Sequence, residues 1–345
     1  MLLVPVERVP GTTGDTSSAR VGRALQERLA DAPGVLAVSW ADFGPLNLEV
    51  SRRGTMVEGY ARRPGEDMEF AFNVVGPDYF ATLGLPLARG RGITAADRAG
   101  APGVLVVNEA FAHRFWGGSD PLGRRVSFDG GATWREVVGV ARDAKYQSMT
   151  ERPREYVYTP ALQEDGYGVT LHVRTAGDPR AVRAAVQAAV RDAAPGWEPS
   201  VERTLTEQVD ASLFPQRAAS TVLGVFGILS LLLGAVGVYG VVAYTVARRT
   251  REIGVRMALG ARAADVVRLV VRQSAVLAAG GLLIGLPLAW GASRLLGGML
   301  LGTAGSVALP FLGAATVLGA AAAAASWVPA RRAAGVDAVK ALAAE

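Results

Sequence analysis

The chain has 345 residues, half of them hydrophobic, with a formal net charge of +5 and a mean hydropathy of +0.25. It contains no cysteine, which excludes a disulfide framework and a thiolate metal site. Residues 218–345 carry 11 Lys and Arg against 4 Asp and Glu, whereas residues 1–217 carry 25 against 27. The basic excess is therefore better explained by membrane topology than by nucleic-acid binding, and we expect no nucleic-acid partner.

Residues 1–203 show the short, mixed elements of an α+β domain, which could comprise two lobes. The first ten residues are interrupted by charges too soon to form a signal peptide or a membrane anchor. Helices are predicted at Asp15–Ala32, at Glu109–Trp116 with Asn108 as its N-cap, and at Arg180–Ala193, with a short one opening at Gly76–Phe80. Strands are predicted at Val35–Trp40, Thr55–Tyr60, Glu69–Val75, Val104–Val107, Arg124–Phe128, Arg135–Val140, Tyr156–Thr159 and Val169–Arg174.

A stalk helix at residues 204–217 is predicted to lead into three stretches that lack any charged side chain. These stretches are residues 218–247, 274–293 and 295–330. About 20 apolar residues in a helix cross the roughly 30 Å hydrocarbon core of a bilayer. The pattern predicts an all-α membrane domain over residues 218–345, with three transmembrane helices at about 219–247, 274–293 and 308–328. The alternative, a buried helical hairpin of a soluble protein, would require three such runs by coincidence.

Small residues recur at helical spacing on the second predicted span. Gly281, Gly285 and Ala289 follow one another at intervals of four, as Ser230 and Gly234 do on the first span. Such residues allow close approach of helices in lipid. The alternative is that a membrane helix simply tolerates Gly and Ala, and the sequence leaves both interpretations open.

The loop between the first two spans, residues 248–273, sets the predicted topology. It holds seven Arg against Glu252 and Asp265, and the C-terminal tail is also basic. Positive loops stay in the cytoplasm, so we expect a multi-pass protein of the bacterial inner (plasma) membrane with residues 1–217 outside. The opposite orientation would place the arginine loop outside. An exported domain needs an export signal, so we expect a further span upstream, lost through truncation, a mis-assigned start or a split polypeptide.

The start of this loop predicts an amphipathic helix at Arg248–Ala261. Glu252 can pair with Arg256 four residues on, and Ile253 shares a face with Met257. A second helix is predicted to begin at Ala263. Such a surface helix can dock into a cytoplasmic partner, or it can be a topology signal that touches only lipid headgroups. The residues alone do not decide between these two interpretations.

Catalytic motifs are absent from the sequence. It contains no G-x-x-x-x-G-K-[ST], no H-E-x-x-H and no G-x-S-x-G. The two histidines, His113 on a predicted helix and His172 in a predicted strand, are better explained as structural or surface groups than as ligands. We expect no catalytic residue, metal or cofactor in this chain. The spans lack Asp, Glu, Lys and His, which disfavours a secondary transporter.

Several segments carry a family resemblance. RRTREIGVRMALGA (Arg248–Ala261), with VGVYGVVAYTVA (Val236–Ala247) and PARRAAGVDAVKAL (Pro329–Leu342), resembles the FtsX-like permease domain of ABC transporters of the MacB type. Three segments of the first part resemble the MacB-like extracytoplasmic core domain. They are VVGPDYFATLGLPLARGR (Val74–Arg91), VVNEAFAHRFWGGSDPLGRRV (Val106–Val126) and VVGVARDAKY (Val137–Tyr146). The motifs cover nearly the whole chain, which is most similar to the second half of large duplicated bacterial permeases.

The resemblance implies four spans per unit and a loop that contacts a separate or fused ATPase. The implied coupling residues are Arg251, Glu252, Ile253, Gly254, Arg256, Met257, Leu259, Gly260 and Ala261. It further implies efflux in which ATP hydrolysis by the partner moves the extracytoplasmic domain, together with a second permease copy or half and an extracytoplasmic adaptor. The loop at residues 295–308 departs from the family pattern because it lacks an acidic residue.

Two other functions compete with this one. An FtsX-like regulatory protein would transmit a signal to an outer-side partner, such as a cell-wall hydrolase, without transport. A membrane-anchored enzyme would need a catalytic constellation that the sequence does not show. The substrate, and whether the chain transports or signals, stay open at this stage.

Overall fold

The computed structural model describes residues 1–12, 15–47, 51–149, 151–259, 262–300 and 308–334. The chain divides into two compact units, Met1–Phe214 and Pro215–Glu345.

Strands of the first unit join in one mixed sheet of thirteen within the described residues. The strands are β1 (Leu2–Arg8), β2 (Val35–Ala41), β3 (Ser51–Gly54), β4 (Met56–Val57), β5 (Glu69–Val75), β6 (Leu87–Gly90), β7 (Val104–Asn108), β8 (Arg125–Ser127), β9 (Arg135–Ala141), β10 (Tyr156–Pro160), β11 (Val169–Thr175), β12 (Trp197–Pro199) and β13 (Arg203–Thr204). Their order is β12-β1-β11-β2-β5-β10-β7-β9-β8-β4, with β13 beside β1, β3 beside β5 and β6 beside β9. The pairs β5–β10 and β7–β9 are parallel, and the remaining pairs are antiparallel.

Helices cover both faces of this sheet. α1 (Ser18–Ala30), α3 (Glu109–Trp116) and α4 (Arg183–Ala193) pack on one face, and the short α2 (Tyr79–Leu83) packs on the other. Successive residues of a strand point to opposite faces, so the central strands supply both cores. This architecture confirms the α+β class predicted for the N-terminal domain.

Asn108 links three elements of the sheet domain. Its side-chain oxygen accepts from the Phe111 N–H at 3.1 Å, which caps α3 as predicted, and from the Tyr156 N–H at 2.9 Å. Its amide donates to Asp143 at 2.7 Å. Asn108 is fully buried, so these bonds satisfy a polar group that would otherwise destabilise the core.

Trp40 is the largest fully buried side chain among the described residues. Its close packing requires glycine at two neighbouring positions. A Cβ added to Gly76 would come within 2.5 Å of the Trp40 ring, and one added to Gly22 on α1 would collide with the same ring. The missing side chains are therefore what lets α1 and the residue after β5 close on the indole.

The predicted elements of this unit differ from the observed ones in several places, two of which have a clear physical cause. β1 was not predicted, yet its alternate residues are buried because β11 pairs on one side and β12 and β13 pair on the other. The predicted strand Thr55–Tyr60 shrinks to Met56–Val57, since the chain turns at Gly59, whose φ is +74°. The predicted helix Arg180–Ala193 starts with a 3₁₀ turn at Pro179–Val182 before α4.

The described part of the second unit is mainly helical. Its first helix already begins at Leu205, within the first unit. The helices are α5 (Leu205–Arg248), α6 (Thr250–Ala258), α7 (Ala263–Leu300) and α8 (Ala308–Ala334). The segments Leu205–Arg248, Ala264–Arg294 and Leu309–Pro329 are long and apolar enough to cross a membrane. This confirms the predicted class of an all-α membrane region with three spans. The residues predicted as a stalk lie at the start of α5, except Thr204, which ends β13.

Candidate functional site

The short helix α6 begins directly after α5 ends. The Arg249 N–H donates to the Val246 carbonyl at 3.0 Å, and the Thr250 hydroxyl donates to the Ala247 carbonyl at 2.9 Å. The Ile253 N–H donates back to the Arg249 carbonyl at 2.9 Å. These bonds satisfy groups that a helix end would otherwise leave unpaired, so α6 starts without a flexible linker.

One face of α6 is anchored by Ile253. This side chain is only 6% exposed and packs against Val266 of α7 and Val246 of α5. Nearby, Val242 of α5 packs against Val270 of α7. Burying an isoleucine side chain contributes about 1.5–3 kcal/mol, which is enough to hold a nine-residue helix that would be marginal alone.

The opposite side of α6 is exposed, and we call it the α6 outer face. It consists of Glu252, Val255, Arg256 and Leu259, which follow one another at helical spacing. The Glu252 carboxylate accepts from the Arg256 guanidinium at 2.6 Å, as the i, i+4 spacing predicted. Leu259 is 83% exposed and Val255 is 42% exposed, so the α6 outer face combines an ion pair with an uncovered apolar surface.

The predicted coupling residues divide into four groups. Glu252, Arg256 and Leu259 lie on the α6 outer face, whereas Ile253 points inward. The backbones of three others lie within α6: Arg251, Gly254 and Met257. Gly260 and Ala261 fall outside the described residues. Their shared coupling role stays a prediction, and Val255 joins the face through a spacing signal that the sequence analysis did not use.

The start of α7 carries the two stripes that its sequence indicates. Val266 and Val270 are buried, at 4% and 6% exposure. The polar residues of the other stripe are exposed: Arg262, Asp265, Arg268 and Arg272. The surface beside α6 is therefore strongly basic.

The predicted helix-packing residues line an apolar cavity of about 390 Å³ between α5, α7 and α8. Gly281, Gly285 and Ala289 contribute from α7, and Ser230 and Gly234 contribute from α5. A Cβ added to Gly281 or Gly285 would meet no atom within 4 Å. Within the described chain these glycines face a space, so their role in close helix packing stays a prediction.

Each of the three segments that could cross a membrane has an arginine over an aromatic ring at or near its C-terminal end. The three pairs are Arg248 over Tyr244 at 5.3 Å, Arg294 over Trp290 at 4.0 Å and Arg331 over Trp327 at 5.3 Å. Tyr and Trp concentrate at membrane–water interfaces, where long cationic side chains reach the headgroups. The pairs therefore fit the ends of membrane spans.

The sheet domain buries several ionisable side chains, among them His172 and Asp42. His172 of β11 is fully buried, and burial lowers its pKa to about 3, whereas His113 is exposed on α3. Burial likewise raises the pKa of Asp42 to about 6. Within the part of the chain that the structure describes, no group of three or more His, Cys, Asp or Glu could hold a metal ion.

A sheet domain followed by three helices able to cross a bilayer defines a membrane protein with a large domain outside the lipid. Family models agree: residues 3–192 match the MacB-like periplasmic core domain, and residues 224–338 match the FtsX-like permease C-terminal domain. The chain belongs to the MacB/FtsX-like family of ABC-transporter permeases, and its sheet domain is extracytoplasmic.

Curated relatives are longer than this chain. The pyoverdine export ATP-binding/permease protein PvdT of Pseudomonas syringae is 30% identical over 282 residues, which cover 77% of this chain and 41% of the relative. The macrolide export ATP-binding/permease protein MacB of Marinobacter nauticus is 28% identical, with coverage of 75% and 41%. The chain thus spans about two fifths of the length of these relatives.

A solved structure similar to the chain is the periplasmic region of MacB from Actinobacillus actinomycetemcomitans. Its TM-score is 0.39 at 16% identity, and the match covers 59% of this chain and 88% of that one.

Proposed function

We propose that this chain is the permease subunit of an ABC-type efflux system, in which a partner ATPase drives movement of the extracytoplasmic domain through α6. The observation that carries the proposal is the two-sided character of α6. Ile253 fixes one side to α5 and α7, and the α6 outer face stays exposed. A helix held on one side and open on the other can take up a push from a partner and pass it to the helices beneath it.

The partner surface that fits α6 has two chemical requirements. Leu259 and Val255 need an apolar pocket, because an exposed leucine gains stability only when a partner covers it. The exposed arginines on the adjacent start of α7 need acidic groups around that pocket. We therefore expect the ATPase to present an apolar depression with an acidic rim.

The route from α6 to the outer domain runs along α5. Val246 near the end of α5 contacts Ile253, and the same helix begins at Leu205, whose N–H donates to the Met1 carbonyl at 3.0 Å. Glu207 near this beginning pairs with Arg180 of the sheet domain. One helix thus carries contacts to both α6 and the sheet, which supports mechanical coupling as the mode of action.

The orientation and assembly belong to the same proposal. The protein lies in the bacterial inner membrane with α6 and the C-terminus in the cytoplasm. It works with a second permease copy or half and with an extracytoplasmic adaptor. The names of the relatives, which include exporters of pyoverdine and of macrolides, support export as the task without identifying this chain's substrate.

Co-purification with an ATPase tests the proposal. Each ABC ATPase subunit of the source organism that lacks a membrane domain is co-expressed with the full chain, as wild type or as Glu252→Arg. We expect one ATPase to co-purify with the wild type and to be lost from the variant, because the Glu252–Arg256 pair becomes two like charges on α6 and the partner loses the Glu252 carboxylate as an acceptor. Glu27→Arg, which reverses the carboxylate of the exposed Arg23–Glu27 pair in the sheet domain, is the matched control that keeps the complex.

A charge-swap variant separates docking from helix stability. Glu252→Arg combined with Arg256→Glu restores the i, i+4 ion pair within α6 but reverses its polarity. If docking depends on the charge pattern, the swap does not restore co-purification. Restoration would show that the ion pair acts only within α6, and equal binding by all variants would move the docking site elsewhere.

A further inference from the structure

A polar pocket of about 190 Å³ lies in the sheet domain where β1, β11 and β13 meet the start of α5. Its lining residues are Leu3, Pro5, Gly44, Asn47, Thr170, Val201, Arg203 and Gln208. About 10–15 Å³ of such space suffices for one water molecule, so the pocket can hold a small organic anion. Neither the family match nor the proposed coupling assigns it a role.

Among the described residues that line this pocket, Arg203 alone carries a charge. Its guanidinium makes no hydrogen bond or ion pair with any residue that the structure describes. The two nearest carboxylates in sequence are already paired, Glu202 with Arg183 at 2.9 Å and Glu207 with Arg180. Within the part of the chain that the structure describes, no carboxylate therefore compensates the positive charge of Arg203.

Gln208 adds a directed donor at the same place. One N–H of its amide donates to the Leu46 carbonyl at 3.1 Å, which leaves the second N–H for a ligand. Leu3, Pro5 and Val201 form an apolar wall beside these donors. The combination of a guanidinium fork, an amide donor and an apolar wall suits an oxyanion attached to a carbon chain.

The wall of the pocket at residues 44–47 contains a strained residue. Leu46 has a φ of +57°, a left-handed conformation that is unfavourable for a residue with a Cβ. Leu46 is also buried, at 6% exposure, and Gln208 holds its carbonyl. Such strain persists where the surrounding structure fixes it, and it clusters at ligand-binding segments.

We propose that this pocket binds the phosphate group of a phosphate ester, with Arg203 and Gln208 on the phosphate oxygens and the carbon chain against Leu3, Pro5 and Val201. The ester is either a soluble molecule or the headgroup of an anionic bilayer lipid, whose phosphate charge is not neutralised within the headgroup as it is in phosphatidylcholine. The lipid source is within reach because Gln208 precedes the first uncharged stretch by only ten residues. This inference goes beyond the proposed function and does not depend on an ATPase.

The test uses the full chain and two matched pairs of variants. Arg203→Gln removes the guanidinium, and Arg98→Gln removes another exposed arginine that lies away from the pocket. Val201→Glu places a carboxylate on the exposed pocket wall, and Val201→Gln is its neutral counterpart. Both pairs alter exposed side chains, so each variant is expected to fold.

Soluble ester binding is measured by calorimetry in a neutral detergent, with glycerol 3-phosphate as the probe and glycerol as its phosphate-free control. Lipid binding is measured by hydrogen exchange of the segment at residues 201–208 in nanodiscs of phosphatidylcholine with and without phosphatidylglycerol. If calorimetry detects binding, we expect Arg203→Gln and Val201→Glu to lower the affinity at least tenfold. If hydrogen exchange detects lipid binding, we expect the same two variants to lose all lipid-dependent protection. Arg98→Gln and Val201→Gln are expected to match the wild type in both measurements.

Each result decides the matter. Binding of glycerol 3-phosphate with this variant pattern identifies a soluble ester. Protection that depends on phosphatidylglycerol, without binding of glycerol 3-phosphate, identifies a lipid headgroup. Absence of both effects, or the same effect in wild type and Arg203→Gln, overturns the proposal.

Discussion

Glu164 joins two arginines that lie far from it in the sequence. Its carboxylate accepts from Arg135 at 2.6 Å and from Arg53 at 3.2 Å, and it also accepts from the Thr159 hydroxyl at 2.6 Å. The Arg53 guanidinium lies 4.1 Å from the centre of the Phe72 ring. These groups are mostly buried, so removal of one member leaves others without compensation.

Glu164→Gln is expected to lower the free energy of unfolding by about 1–3 kcal/mol, because two partly buried guanidinium groups lose their counter-charge. Urea unfolding of the full chain in a mild detergent, followed by tryptophan fluorescence, measures the change. Glu27→Gln is the matched control: its pair with Arg23 is exposed on both sides, and we expect a change below about 0.5 kcal/mol. Equal losses in both variants would show that the Glu164 network adds no stability of its own.

His172 is expected to make the sheet domain less stable in acid. Burial lowers its folded pKa to about 3, whereas an imidazole in the unfolded chain titrates near 6.5. The unfolded state therefore takes up a proton first, and stability falls as the pH drops from about 6.5 towards 3. Between pH 6 and pH 5 the loss from this residue is expected to be about 1 kcal/mol.

The variant His172→Leu isolates this contribution. We expect its stability to exceed that of the wild type increasingly as the pH falls from 7 to 5, with urea unfolding as the measurement. His113→Asn, at an exposed position on α3, controls for the loss of an imidazole as such. A constant difference between wild type and His172→Leu across this pH range would contradict the assignment.

Residue contacts could be predicted from the sequence only where the partners are close along the chain. Asn108 caps a helix three residues on, and Glu252 pairs four residues on, so local spacing was sufficient. Glu164 and Arg53 are 111 residues apart, and the order of the strands decides their contact. The pocket at Arg203 depends in the same way on four segments that only the folded sheet brings together.

Secondary-structure elements, like residue contacts, could be predicted where the signal is local and could not where only neighbouring strands define them. β5 and β7 combine apolar runs with clear boundaries, and both were predicted within a residue. β1 was considered only as a signal peptide or an anchor, and it is a strand because β11, β12 and β13 supply its partners. β3 and β6 have mostly polar or exposed residues, so only their neighbours in the sheet define them.

The small residues of α7 give a prediction about how this helix packs. Gly281→Leu is expected to leave the stability of the isolated chain nearly unchanged, because a Cβ there meets no atom within 4 Å. It is expected to weaken assembly with a second permease copy or half at least several-fold, by filling the cavity that a partner helix would enter. Cross-linking in membranes measures the assembly.

Gly280→Leu is the matched control for this substitution. Gly280 is the adjacent residue, it also has no atom within 4 Å of an added Cβ, and it does not line the cavity. Assembly that is equally strong in both variants would assign the small residues to simple tolerance in a membrane helix, the alternative that the sequence leaves open.

The whole molecule combines an extracytoplasmic sheet domain with three helices that can cross a bilayer and a short helix beside their basic end. The proposed function requires the α6 outer face and the sheet domain to lie on opposite sides of the membrane, since an ATPase acts in the cytoplasm. Orientation is therefore the central claim on which the coupling proposal depends. The native chain contains no cysteine, so single cysteines can report it without background.

Cysteine labelling in intact spheroplasts tests this claim most directly. Ala132→Cys lies at an exposed position of the sheet domain, and Arg262→Cys lies at an exposed position between α6 and α7. With a membrane-impermeant maleimide, we expect labelling at 132 in intact spheroplasts and at 262 only after the membrane is opened. Labelling at 262 before the membrane is opened would place α6 outside the cytoplasm and contradict the coupling account.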